Sequence, residues 1–137
     1  MKTVLYADGA ARGNPGPAGA GAVLLDEQGD VVAEVTRYLG RATNNVAEYT
    51  ALIIGLEEAR RRGVEELEVR MDSMLVVQQM KGAWRIKHPG LRPLALRAAE
   101  LLASIPSRTI LHVPREQNFL ADALANRAID DLPTLRA

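Results

Sequence analysis

Apolar and polar positions follow two periods along this chain of 137 residues, and the switches between them mark out its elements. Thr3-Val4-Leu5-Tyr6-Ala7-Asp8 reads as a strand over residues 3–8. Gly9 to Gly21 is punctuated by glycine and proline, with Asn14-Pro15-Gly16-Pro17 as a turn signal, and reads as a connection. Residues 20–26 and 31–39 carry strand-like runs on either side of Glu27-Gln28-Gly29-Asp30, the pattern of a hairpin. From about 43 to 62 the period turns helical, and Gly63 stops it. Leu67, Val69 and Met71 alternate through a strand at 66–71, and 73–81 resembles a short helix. Pro89, Gly90 and Pro93 break the next stretch before a Leu- and Ala-rich helix running to about 103. Residues 108–113 form a last strand and 118–130 a closing helix. Three strands in series followed by two β–α alternations predict an α/β domain, a mixed sheet with helices packed over it.

Composition narrows the class without changing that picture. The length predicts one domain over 1–137 with room for a real core, and 47% hydrophobic with 25% charged residues is ordinary for a globular chain. No apolar run approaches bilayer-spanning length and the N-terminus has no signal-peptide pattern, so a cytoplasmic location without a membrane partner is expected. With no cysteine there is no disulfide framework, thiolate zinc site or cysteine nucleophile. The net charge is zero, yet its distribution is uneven. Ser73 to Ala99 contains no acid, while Lys81, Arg85, Lys87, Arg92 and Arg97 fall there with Trp84 and His88 interleaved. A basic stretch carrying an aromatic is a candidate phosphate-binding footprint, with a solvated helix face as the bland alternative.

Four carboxylates then stand out, each beside apolar sequence that would carry it toward a shared core: Asp8, Glu48, Asp72 and Asp122. Three of them have an ordinary explanation. Asp8-Gly9 is a turn dipeptide, Asn45 with Glu48 has capping-box spacing, and Asp72-Ser73 could cap the following helix. Asp122 is hardest to dismiss, lying among Leu120, Ala121, Leu124 and Ala125. Glu48 heads the stripe Leu52, Gly55 and Ala59 that would face the sheet. Brought together, such groups repel, two charges about 4 Å apart costing roughly 4 kcal/mol at an effective dielectric of about 20. A cation must hold them, and all-oxygen ligation points to Mg²⁺ or Mn²⁺. Other chemistries find little support. His88 and His112 have no metal-ligand spacing, and the Gly-rich segment lacks a Walker lysine and leads into a strand.

The motifs Tyr6-Ala7-Asp8-Gly9-Ala10, Arg12-Gly13-Asn14-Pro15-Gly16-Pro17-Ala18-Gly19, Thr43-Asn44-Asn45-Val46-Ala47-Glu48-Tyr49, Met71-Asp72-Ser73 and His112-Val113-Pro114-Arg115-Glu116-Gln117-Asn118, leading to Ala121-Asp122, resemble those of type 1 ribonuclease H, in particular its short bacterial and archaeal members. The resemblance runs from about residue 3 to 128. It implies a five-stranded sheet, three strands antiparallel and then two parallel, and hydrolysis of the RNA strand of RNA–DNA hybrids. It places the family's metal-binding carboxylates on Asp8, Glu48, Asp72 and Asp122. Two divalent ions about 4 Å apart would activate water and stabilise the leaving 3′ oxygen, leaving 5′-phosphate and 3′-hydroxyl ends. By the same resemblance Gly9, Asn14 and Asn44 read the 2′-hydroxyl, and Arg41, Thr43 and Asn45 hold the DNA strand. A monomer is expected, with double-stranded RNA as a second candidate duplex.

Three departures stand against the pattern. Met74 replaces the usual Gln or Glu after Asp-Ser, which removes one hydrogen bond to the RNA strand. Pro114-Arg115-Glu116-Gln117 replaces a glycine-and-histidine loop, which leaves Arg115 as the candidate for product release or phosphate contact. The stretch between 81 and 92 is short, so the basic handle of longer relatives is reduced. A binding module that grips nucleic acid without cutting is the main rival, but clustered acids facing phosphate would only weaken it. Another metal-dependent nuclease or integrase is a second rival, which the Thr43-Asn44-Asn45 segment argues against.

Overall fold

The computed structural model describes residues 2–136. Strands β1 (Lys2–Ala11), β2 (Gly16–Leu25) and β3 (Val31–Ala42) pair antiparallel in succession. β4 (Glu66–Met71) and β5 (Ser107–His112) extend the other side of β1 in parallel, so the sheet order is β3-β2-β1-β4-β5. Helix α1 (Asn44–Arg61), with α2 (Met74–Met80) and α3 (Arg92–Ala103) beside it, packs over one face. Helix α4 (Phe119–Arg136) crosses the other face over β1, β2 and β3. Among the described residues no helix is long and apolar enough to cross a membrane.

The expected connection from Gly9 to Gly21 is corrected. β1 continues through Asp8 to Ala11 and β2 begins at Gly16, so only residues 12–15 connect them. Asp8 is therefore internal to its strand, opposite Gly21. The small residues that suggested a loop answer to close packing instead. A Cβ at Gly9 would collide with the backbone of Ala47 and Glu48 in α1. A Cβ at Gly21 would lie 2.6 Å from Ala125 N and Leu124 Cβ in α4, and one at Gly19 would strike the Ala125 carbonyl. Helices on both faces leave this ribbon no room for the β-branched residues by which strands are usually recognised.

Helix α1 begins where Thr43 Oγ1 accepts the Val46 N–H at 3.3 Å. Thr43 is thus the N-cap, and the alternative of a capping box built on Asn45 and Glu48 fails. Its stripe of Leu52, Gly55 and Ala59 does face the sheet, Gly55 lying against Leu5 and Ala22. Leu5, Leu52, Leu56, Leu67 and Leu101 are all buried, each worth about 1.5–3 kcal/mol of transfer free energy. Ser73, not Asp72, caps α2, its Oγ accepting from Val76 N–H at 3.3 Å. Both carboxylates are thereby free for something other than capping.

Candidate active site

The site forms where β1 outruns β4. Parallel pairing between them reaches Tyr6 and Arg70, and β4 ends at Met71. Beyond that point the edge of β1 has lost its neighbour, and buried backbone groups must find other partners. Asn118 Nδ2 donates to the Ala7 carbonyl at 2.9 Å, and Glu48 Oε1 accepts the Gly9 N–H at 2.6 Å. The same Asn118 amide also donates to Asp72 Oδ1 at 3.3 Å, fixing the first residue past β4. Glu48 reaches Gly9 because the missing Cβ at Gly9 lets the start of α1 lie directly on the strand.

Asp8, Glu48 and Asp72 therefore converge, with one carboxylate oxygen from each lying within 4.8 Å of the others. Asp122 arrives from the opposite layer. It lies in the first turn of α4, which crosses Gly21, the pairing partner of Asp8. It stands outside the three-way cluster but within hydrogen-bonding reach of Asp8. All four acids line one cleft of about 440 Å³, together with Gly9, Arg12, Asn44, Arg115 and Asn126.

Burial pushes the Asp8 carboxyl up to about 10, and the charges of Glu48 and Asp72 act in the same direction. Burial also raises Glu48, to about 7, against the Gly9 N–H and the Asp8 hydrogen bond that favour its charged form. Near neutral pH the Asp8–Glu48 pair thus keeps a proton that two separate, exposed carboxylates would have lost. Three hard oxygen donors crowded until one must keep its proton make a site suited to a divalent cation.

The substrate residues expected from sequence divide between two grooves. Gly9, Asn44 and Arg115 line the acidic cleft. Asn14 is joined to it, its Oδ1 accepting the Asn44 N–H at 3.0 Å. Asn45 instead lines a neighbouring groove of about 500 Å³ with Trp84, Arg85, Lys87 and His88. Arg41 is exposed near the end of β3, paired with Pro17, and lines neither groove. Met74 begins α2 with its side chain exposed. His112 is exposed at the end of β5 and does not line the cleft. Asn118, Asn126 and Arg12 are site residues that the sequence reading does not single out. The spacing Asn118, Asp122, Asn126, each four residues apart on one helical face, is the signal that points to two of them.

A family model described as reverse transcriptase-like matches residues 6–128. The ribonuclease HI of Halobacterium salinarum is 53% identical over 126 residues, covering 92% of this chain and 63% of that protein. A bifunctional protein of Mycobacterium tuberculosis is 50% identical over 131 residues, covering 95% of this chain and 36% of that one. The chain thus spans less than two thirds of the length of these curated relatives. Among solved structures, LC11 ribonuclease H1 in complex with an RNA/DNA hybrid superposes with a TM-score of 0.89 at 46% identity, covering 94% of this chain and 97% of that one.

Proposed function

Because the chain belongs to the type 1 ribonuclease H family, we propose that it hydrolyses the RNA strand of RNA–DNA hybrids, using two Mg²⁺ or Mn²⁺ ions held by Asp8, Glu48, Asp72 and Asp122. The observation that carries this reading is the convergence of three carboxylates at the open edge of β1, with a fourth facing them from α4. When bound, the ions supply Lewis acidity to an attacking water and to the leaving 3′ oxygen, which gives 5′-phosphate and 3′-hydroxyl ends. The chain's own part is to hold four acids in one geometry. Asn118 and the Gly9 N–H orient Asp72 and Glu48 for that task.

Strand choice follows from which polar atoms are still free. The Gly9 N–H is taken by Glu48, while its carbonyl lies on the same strand end and can accept a 2′-hydroxyl proton. Asn14 spends its Oδ1 on the Asn44 N–H and keeps its NH₂ to donate, and the Asn44 side-chain amide can do both. The 2′-hydroxyl is both donor and acceptor, so this trio suits RNA. On the other side, Asn45 opens onto the groove with Trp84, where a DNA backbone would run past Thr43 and Arg41. Arg115 has no ion pair among the described residues and is the cation placed to meet a phosphate in the cleft. A cytoplasmic monomer is the working form under this proposal, and double-stranded RNA is the alternative duplex.

The deciding assay is cleavage of a labelled hybrid with Mg²⁺, Mn²⁺ or EDTA, beside RNA–RNA and DNA–DNA duplexes. Cleavage confined to the RNA strand, lost in EDTA and carrying 5′-phosphate products, is the expected result. A chain that binds the hybrid and leaves it intact with either ion overturns the reading in favour of a binding module.

A further inference from the structure

We propose that Arg12 is a positioning residue that sets the Asp122 carboxylate through the Asn126 amide and ties it to the loop carrying Asn14. The inference rests on the roles of Asp122 and Asn14 proposed above. Arg12 is the first residue after β1, and its N–H donates to the Pro17 carbonyl at 2.8 Å, closing the loop. Its guanidinium crosses to α4, where Nη1 donates to Asp130 Oδ1 at 2.6 Å. Nη2 reaches the Asn126 carbonyl at 3.5 Å and Asn126 Oδ1 at 3.4 Å. Asn126 Nδ2 in turn donates to the Asp122 carbonyl at 3.0 Å and to Asp122 Oδ1 at 3.5 Å.

The chemistry of the groups fixes the direction of this relay. A guanidinium offers only donors, so the Asn126 oxygen must face Arg12 and its NH₂ must face Asp122. Without Arg12 the amide keeps only its NH₂ contacts to Asp122 and loses the donor that holds its oxygen, so its rotation is less restricted. The other end of the loop holds Asn44 through Asn14, so one continuous set of contacts links the RNA-reading amides to Asp122. Arg12 lines the cleft and could instead touch a phosphate directly, but its charge is already matched by Asp130.

Kinetics, binding and an amide signal together test this. Arg12→Ala and Asn126→Ala should each lower kcat on the hybrid about tenfold with KM changed by less than about threefold, and the double variant should lose no more than either single. Hybrid binding in EDTA should keep its salt slope in Arg12→Ala. A slope reduced by about one with kcat preserved would make Arg12 a phosphate ligand and overturn the proposal. Additive losses in the double variant would do the same. In the free protein, the Asn126 side-chain amide resonances should shift in Arg12→Ala while the thermal midpoint stays close to wild type. Resonances that do not move overturn the relay whatever the activity. Wild-type cleavage and an inactive Asp72→Asn variant run alongside, so failure of the ribonuclease reading shows itself separately.

Discussion

Asp8 is the residue at which stability and chemistry pull in opposite directions. Its carboxyl is raised from 3.8 to about 10, chiefly by burial and then by Glu48 and Asp72. Between those two values the folded chain keeps a proton that the unfolded chain has lost, so metal-free stability falls as pH rises through the window. Glu48 adds to the fall between 4.5 and about 7. The metal-free thermal midpoint should therefore drop from about pH 5 to about pH 8, and saturating Mg²⁺ should restore most of it at the upper end. Asp8→Asn removes the group that must either keep its proton or repel. It should abolish cleavage yet raise the metal-free midpoint by roughly 3–8 °C near pH 8, for relief of about 1–2 kcal/mol. Turnover near wild type in that variant would refute the site assignment, and a midpoint indifferent to pH would refute the buried cluster. The four acids are legible in the sequence because each interrupts an apolar run. Asn118 is not, since its worth depends on β4 stopping at Met71 while β1 goes on, a difference in strand length that no local pattern records.

The seam between β2 and α4 governs where Asp122 stands. Gly21→Ala would place a methyl 2.6 Å from Ala125 N and 2.7 Å from the Ala121 carbonyl, which forces the helix outward. Overpacking of this kind costs about 1–3 kcal/mol, and cleavage should fall further than that loss of stability accounts for, because Asp122 moves with its helix. Gly29→Ala is the comparison, since Gly29 has φ of 83° in the β2–β3 hairpin with nothing within 4 Å. It should lose about 1 kcal/mol to backbone strain and keep its activity. Thermal midpoints and hybrid turnover for both variants check this, and equal activity losses would separate Asp122 from the seam. The order of strands and helices can be read from periodicity where one face is buried, as Leu67, Val69 and Met71 are in β4 and Ala95, Ala98 and Leu101 are in α3. The ends of β1 and β2 cannot, because glycine and alanine there serve contacts with helices far along the chain.

Across the whole molecule a net charge of zero conceals two grooves of different character, adjoining at Asn44 and Asn45. One gathers acids; the other has Trp84, Arg85 and Lys87 on its wall, with Lys81 exposed nearby. If the second groove carries the DNA strand, changing Lys81, Arg85 and Lys87 together to Ala should weaken hybrid binding and flatten its salt slope by about one for every phosphate the variant ceases to neutralise. Turnover at saturating substrate should survive. An unchanged slope would reduce the basic stretch to a solvated face. The stop of β4 short of β1 has a consequence in time as well as in space. The plug at Ala7 and the acid Asp122 both come from the region of α4, more than a hundred residues downstream. A ribosome-bound chain can pair its strands and lay down α1 while that edge of β1 is still unfilled, a place where another strand could add. Under the proposed function the site is completed only when α4 docks, so the growing polypeptide carries three of the acids through synthesis without the fourth.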